Sequence, residues 1–123
     1  INFYIEKIKI SNNNKLIRNL VKNLKPNSIN KKKKKIFLEL NLEIKEKVTL
    51  RDEKGDMSQE EMKIILDVKS LLPNNSTKNF QFVETFVFNN QSNQFELNQY
   101  KKSIQATLID KIYQDLILKL RTL

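Results

Sequence analysis

Cysteine and histidine are both absent from this sequence of 123 residues. Without cysteine it holds no disulfide, no thiol nucleophile and no thiolate metal site. Without histidine it lacks the commonest general base and the commonest metal ligand. Glycine occurs once and proline twice, so a glycine-rich phosphate loop is excluded. No apolar run approaches the roughly 18 residues of a membrane-spanning helix. The sequence starts at Ile1 with no basic-then-apolar leader, and a leader or anchor, if the native chain carries one, is expected upstream.

What is abundant is positive charge. Twenty-three basic against 14 acidic residues give a formal net charge of +9. Such a surplus favours polyanionic partners: nucleic acid, anionic lipid or an acidic protein surface. A codon bias toward Lys, Asn and Ile would produce the same skew, so charge alone selects no partner. The length suits one domain spanning residues 1–123. At 39% hydrophobic and 30% charged, the chain can bury one modest core and lacks the signature of a disordered segment.

Periodicity organises the rest. "FYIEKIKI" (Phe3–Ile10) reads as a strand. Its apolar parity changes between Ile5 and Ile8, which predicts a bulge near Glu6–Lys7. In the next stretch Leu16, Ile17, Leu20, Val21 and Leu24 form one helix face. Ser11 or one of Asn12–Asn14 supplies the N-cap, and Pro26 the stop. The expected helix runs from about Asn14 to Lys25. "PNSINKKKKK" reads as a polar loop, its run Lys31–Lys35 a solvated charge cluster. From Ile36 the alternation is strict. Ile36, Leu38, Leu40, Leu42 and Ile44 point to a core, and Phe37, Glu39, Asn41, Glu43 and Lys45 point away.

The only glycine, Gly55, sits in "RDEKGDM" and predicts a hairpin tip there. The following strand carries Met62, Ile64, Leu66 and Val68 on one parity, and "PNNST" is a second turn. "NFQFVETFVF" places Phe80, Phe82, Phe86 and Phe88 on one face, expected as core. "NNQSNQFELNQ" reads as a loop with a turn at Phe95. The last helix is expected in "YKKSIQATLIDKIYQDLILKLRTL". Its stripe is Ile104, Leu108, Ile112 (or Tyr113), Leu116 and Leu120, broadened by Ile109 and Ile117. Lys111–Asp115 and Asp115–Lys119 are spaced as pairs on its outer side.

The order is β-α-β-β-β-α. With one apolar stripe on each helix and one apolar face on the strands, the fold class follows. It is an α+β two-layer sandwich, with a four-stranded, mostly antiparallel sheet and two helices on one face. The other sheet face carries Phe37, Glu39, Asn41, Glu43, Lys45, Gln81, Val83, Thr85 and Val87, and meets water or a polar partner.

No catalytic constellation emerges. Glu39 and Glu43 share a strand face among lysines, while Glu60 and Glu61 point to opposite faces, and solvation accounts for all four. Asp52–Asp56 is too short for a calcium loop and lacks its closing glutamate. The sequence therefore predicts no enzyme, no cofactor and no metal.

The layout resembles the lipopolysaccharide-assembly lipoprotein (LptE-like) family over about residues 3–122. The resemblance is carried by the opening strand, the helix "KLIRNLVKNL", the long hairpin tipped by "LRDEKG", the strand "FVETFVF" and, above all, the closing helix. It implies a lipid-anchored protein on the periplasmic side of the cell outer membrane. It also implies a place inside an outer-membrane β-barrel LPS-assembly partner (LptD-like), with direct contact to lipopolysaccharide. The family's basic residue at the hairpin tip falls on Arg51, with Lys54 beside it, and arginine's planar fork suits a phosphate. A second family position, before the last helix, falls in "QFELN", where no basic residue stands. Lys101 and Lys102, one turn on, are the expected substitutes. The competing reading is a small basic α+β module that binds nucleic acid on exposed aromatics.

Overall fold

The computed structural model describes residues 3–25 and 34–123. Six elements follow in order: β1 (Phe3–Ile10), α1 (Lys15–Leu24), β2 (Lys34–Arg51), β3 (Met57–Leu71), β4 (Thr77–Asn89) and α2 (Gln94–Leu120). The strands form one sheet in sequence order. β1 runs parallel to β2, with α1 as the crossover between them, and β2–β3 and β3–β4 are antiparallel. This is the expected α+β sandwich with a mostly antiparallel sheet.

Local sequence explains most of it. Glu6 is skipped between the pairs Ile5↔Ile36 and Lys7↔Phe37. That bulge lets Ile5 and Ile8 face the same side. Asn14 caps α1, its side chain accepting from the Ile17 amide at 2.8 Å, and Ile17, Leu20 and Leu24 are buried. Pro26 and Lys31–Lys33 lie outside the described residues. Ile36, Leu38, Leu40 and Leu42 of β2 meet Met62, Ile64, Leu66 and Val68 of β3 beneath Leu108, Ile112 and Leu116 of α2, all buried. Burying each such side chain contributes about 1.5–3 kcal/mol.

Several expectations are corrected. β2 begins at Lys34, and Lys34 and Lys35 pair with Phe3 and Tyr4, so the end of the lysine run is strand. Ile44 is 36% exposed, because β1 stops opposite Leu40 and leaves it at an open edge. The four phenylalanines share the helix-covered face, but β4 is an edge strand. Phe88 is buried, Phe80 and Phe82 are half-buried, and Phe86 is 41% exposed. α2 starts at Gln94, with no loop or turn at Phe95. Asn93 caps it by accepting from the Glu96 amide at 3.1 Å, an arrangement that an Asn-rich stretch hides. Lys111 pairs with Asp115 at 3.0 Å as expected, whereas Lys119 sits over the Phe80 ring, 5.2 Å from its centroid. Among the described residues no helix is long and apolar enough to cross a membrane.

Candidate functional site

The β2–β3 hairpin carries the Arg51/Lys54 pair at its tip. The turn is built from its own backbone. The Asp52 amide donates to the Asp56 carbonyl at 2.9 Å, and the Gly55 amide donates to the Asp52 carbonyl at 3.0 Å. The Asp52 carboxylate accepts from the amides of Lys54 and Asp56. Gly55 adopts φ +83°, where a Cβ would strain the backbone.

Arg51 closes the turn from the side, its Nη1 donating to the Gly55 carbonyl at 3.0 Å. Neither neighbouring acid, Asp52 or Asp56, holds it in an ion pair. Asp52 is instead spent on the turn, and the guanidinium keeps most of its five N–H donors. Lys54 gives the turn only its backbone amide, and among the described residues its ammonium meets no partner. Both residues are exposed. The tip thus presents a planar fork and a point charge together, which suits a phosphate or other oxyanion.

The other two candidates diverge from the tip. Lys101 reaches the inner face of the hairpin, with Nζ 3.0 Å from Glu46 and 3.6 Å from Glu60. Its side chain is only 22% exposed. Lys102, on the exposed side of α2, lines a groove against α1 with Lys15 and Lys22. The structure therefore brings Arg51 and Lys54 together, sets Lys101 back along the hairpin as a clamp, and leaves Lys102 on another surface.

Glu60 is the residue that sequence reasoning misread. It is 6% exposed, on the inner parity of β3, and its Oε2 accepts no hydrogen bond. Its parity with Met62 was a readable signal. The clamp raises the Lys101 pKa. Burial works to lower it, but the hydrogen bond and charge of Glu46 and the charge of Glu60 outweigh that and hold it above the ordinary 10.5. Two carboxylates held on one ammonium form a structural device rather than an acid–base pair across a cleft.

The open sheet face is aligned in rows: Asn41–Asp67–Gln81, Glu43–Ile65–Val83 and Lys45–Lys63–Thr85. Among the described residues Phe37 is an exposed aromatic on this face, while the β4 phenylalanines face the helices. A platform of stacked aromatics on an open basic sheet is not what these strands build.

No protein-family model and no curated protein matches the chain. Solved structures do match in fold. The rare lipoprotein B from Shewanella oneidensis superposes with a TM-score of 0.67 at 13% identity, over 95% of this chain and 98% of that one. An uncharacterized lipoprotein B from Nitrosomonas europaea gives 0.68 at 11% identity, over 93% and 79%. A minor lipoprotein from Acinetobacter baumannii gives 0.62 at 12% identity, over 94% and 88%. At these identities the likeness is one of fold, and it spans the whole sandwich.

Proposed function

We propose that the chain is a non-enzymatic subunit of the outer-membrane lipopolysaccharide assembly machinery. In this reading it is lipid-anchored on the periplasmic side, plugs an LptD-like β-barrel partner and contacts lipopolysaccharide through its hairpin tip. The observation that carries the reading is the chain-long likeness in fold to several bacterial lipoproteins. The tip supports it with paired cations free for phosphate, Arg51 and Lys54. The open sheet face supports it too, because its mostly polar rows suit the polar interior of a barrel. Lys102, on another surface in the groove against α1, is a separate contact for the same ligand. Lys101, already neutralised by two carboxylates, acts mainly by holding the hairpin. No nucleic acid partner is expected.

The anchor is tested by the intact mass of the native mature protein, with the residues upstream of Ile1 read from its N-terminal peptide. A lipid-modified cysteine is the expected result. An unmodified start with no leader contradicts the anchor, and leaves the basic surface to be explained by a cytoplasmic polyanion.

A further inference from the structure

The β1–β2 ladder ends in an unusual way. Past the last pair, Ile10↔Leu40, the Ser11 amide donates to the Leu40 carbonyl at 2.9 Å. The Asn12 side chain then takes the place of one more strand residue. Its Nδ2 donates to the Leu42 carbonyl, and its Oδ1 accepts from the Leu42 amide at 3.2 Å. These bonds show which way the Leu40 and Leu42 peptides point: toward β1 and away from β3.

Peptide groups alternate along a strand. Those of Glu43, Lys45 and Lys47 therefore face β3. The N–H and C=O of Ile44 and Glu46, and the N–H of Val48, point outward, where no described strand lies. The open edge is bounded on one side by Asn12 and on the other by the register shift between Val48 and Leu50. It accepts a strand of about five residues and little more.

We propose that the Glu43–Val48 edge of β2 docks an extended segment of a partner protein as an added strand. That segment carries acidic residues on one face and apolar residues on the other. Charge selects this occupant. On the open face Lys45 lies directly opposite Lys63, a like-charge pair that destabilises a sheet. Lys47, one pair further along on that face, lies opposite Glu61, so the unmatched charge is centred on Lys45 and Lys63. Glu43 is 3.6 Å from Lys45 and offsets only part of that charge, so an acidic residue beside Lys45 supplies the missing counter-charge. On the inner face Ile44 and Val48 offer apolar contact.

A second copy of the chain is a poor occupant. Antiparallel self-pairing centred on Ile44 runs the copy into Asn12 and β1. Centred on Lys45 or Lys47 it sets that lysine against itself, and centred on Glu46 it sets Lys45 against Lys47. The lysines thus repel unmatched edges while admitting a complementary one. The inference does not depend on the ligand proposed for the tip.

The test uses the full chain and two synthetic peptides, acetyl-Thr-Glu-Val-Glu-Val-Thr-amide and its Lys-for-Glu counterpart, read by residue-resolved amide hydrogen exchange. In the free chain the amides of Ile44, Glu46 and Val48 should exchange fast, while those of Lys45 and Lys47 are protected. The acidic peptide should slow the first three at least ~tenfold, and the basic peptide should not. Ile44→Pro removes an outward N–H and leaves the β2–β3 ladder intact. It should abolish the effect while Lys45 and Lys47 stay protected. Should that variant fail to fold, Lys45→Glu with Lys47→Glu should swap the preference to the basic peptide. Prior protection of Ile44 and Glu46, equal response to both peptides, no response to either, or a dimer that itself protects these amides would each overturn the proposal.

Discussion

Reversing the charge of the hairpin tip, Arg51→Glu with Lys54→Glu, is expected to weaken lipopolysaccharide binding at least ~tenfold without unfolding the protein. A charge-assisted hydrogen bond contributes about 1.5–3 kcal/mol, and 1.4 kcal/mol is a factor of ten. The reversal also replaces two cations by two anions beside Asp52, Glu53 and Asp56, so attraction becomes repulsion. Structurally little is lost. Arg51 donates to the Gly55 carbonyl at an exposed position, and the turn itself is held by backbone bonds and the Asp52 carboxylate. Exposed substitutions of this kind usually stay within about 0.5 kcal/mol of stability. The measurement is a titration of labelled lipopolysaccharide into wild type and variant at two salt concentrations, with a thermal melt of each. Binding should weaken with salt. Unchanged affinity in the variant would remove the tip from the account.

Lys101→Met carries the largest expected effect on stability. It leaves Glu60 buried beside Glu46 with no counter-charge. Breaking a fully buried pair costs about 3–5 kcal/mol. Lys101 and Glu46 keep partial contact with water, so about 1–3 kcal/mol is expected, a melting temperature lower by roughly 4–15 °C. The companion variant Lys101→Met with Glu60→Gln should recover part of that loss. The pH dependence has a definite sign. A lysine whose folded pKa is raised contributes stability that is complete below its unfolded value and is lost as pH climbs through the folded one. The gap between wild type and Lys101→Met should therefore hold across neutral pH and close only above the ordinary 10.5. Equal melting of the two proteins at pH 7 would show that the clamp contributes nothing.

Much of the fold was legible because it is local. A period of two gave the inner faces of β2 and β3, a period near 3.6 gave the stripes of α1 and α2, and the lone glycine gave the tip. The bulge at Glu6 followed from a change of parity. What escaped depended on how far neighbouring strands extend. Ile44 alternates correctly yet is exposed, because β1 ends at Ile10, and nothing in the run from Ile36 to Ile44 encodes that. Phe86 is exposed because β4 ends the sheet. Asn12 looked like a helix cap and serves as a strand cap, a role visible only once Leu42 lies beside it.

The candidate site was half legible for the same reason. Arg51 and Lys54 are neighbours in sequence and on the tip. Lys101 meets its partners across 55 residues of chain to Glu46, a distance over which charge patterning carries no information. The sequence reading grouped it with Lys102 by adjacency, but consecutive helix residues point in different directions.

The most direct test of the central claim is photo-crosslinking in the native cell from position 85, where a photo-reactive phenylalanine derivative replaces Thr85 on the open sheet face. The account predicts one dominant adduct, with an outer-membrane β-barrel protein. Adducts with nucleic acid, or with soluble proteins and no barrel, would contradict it.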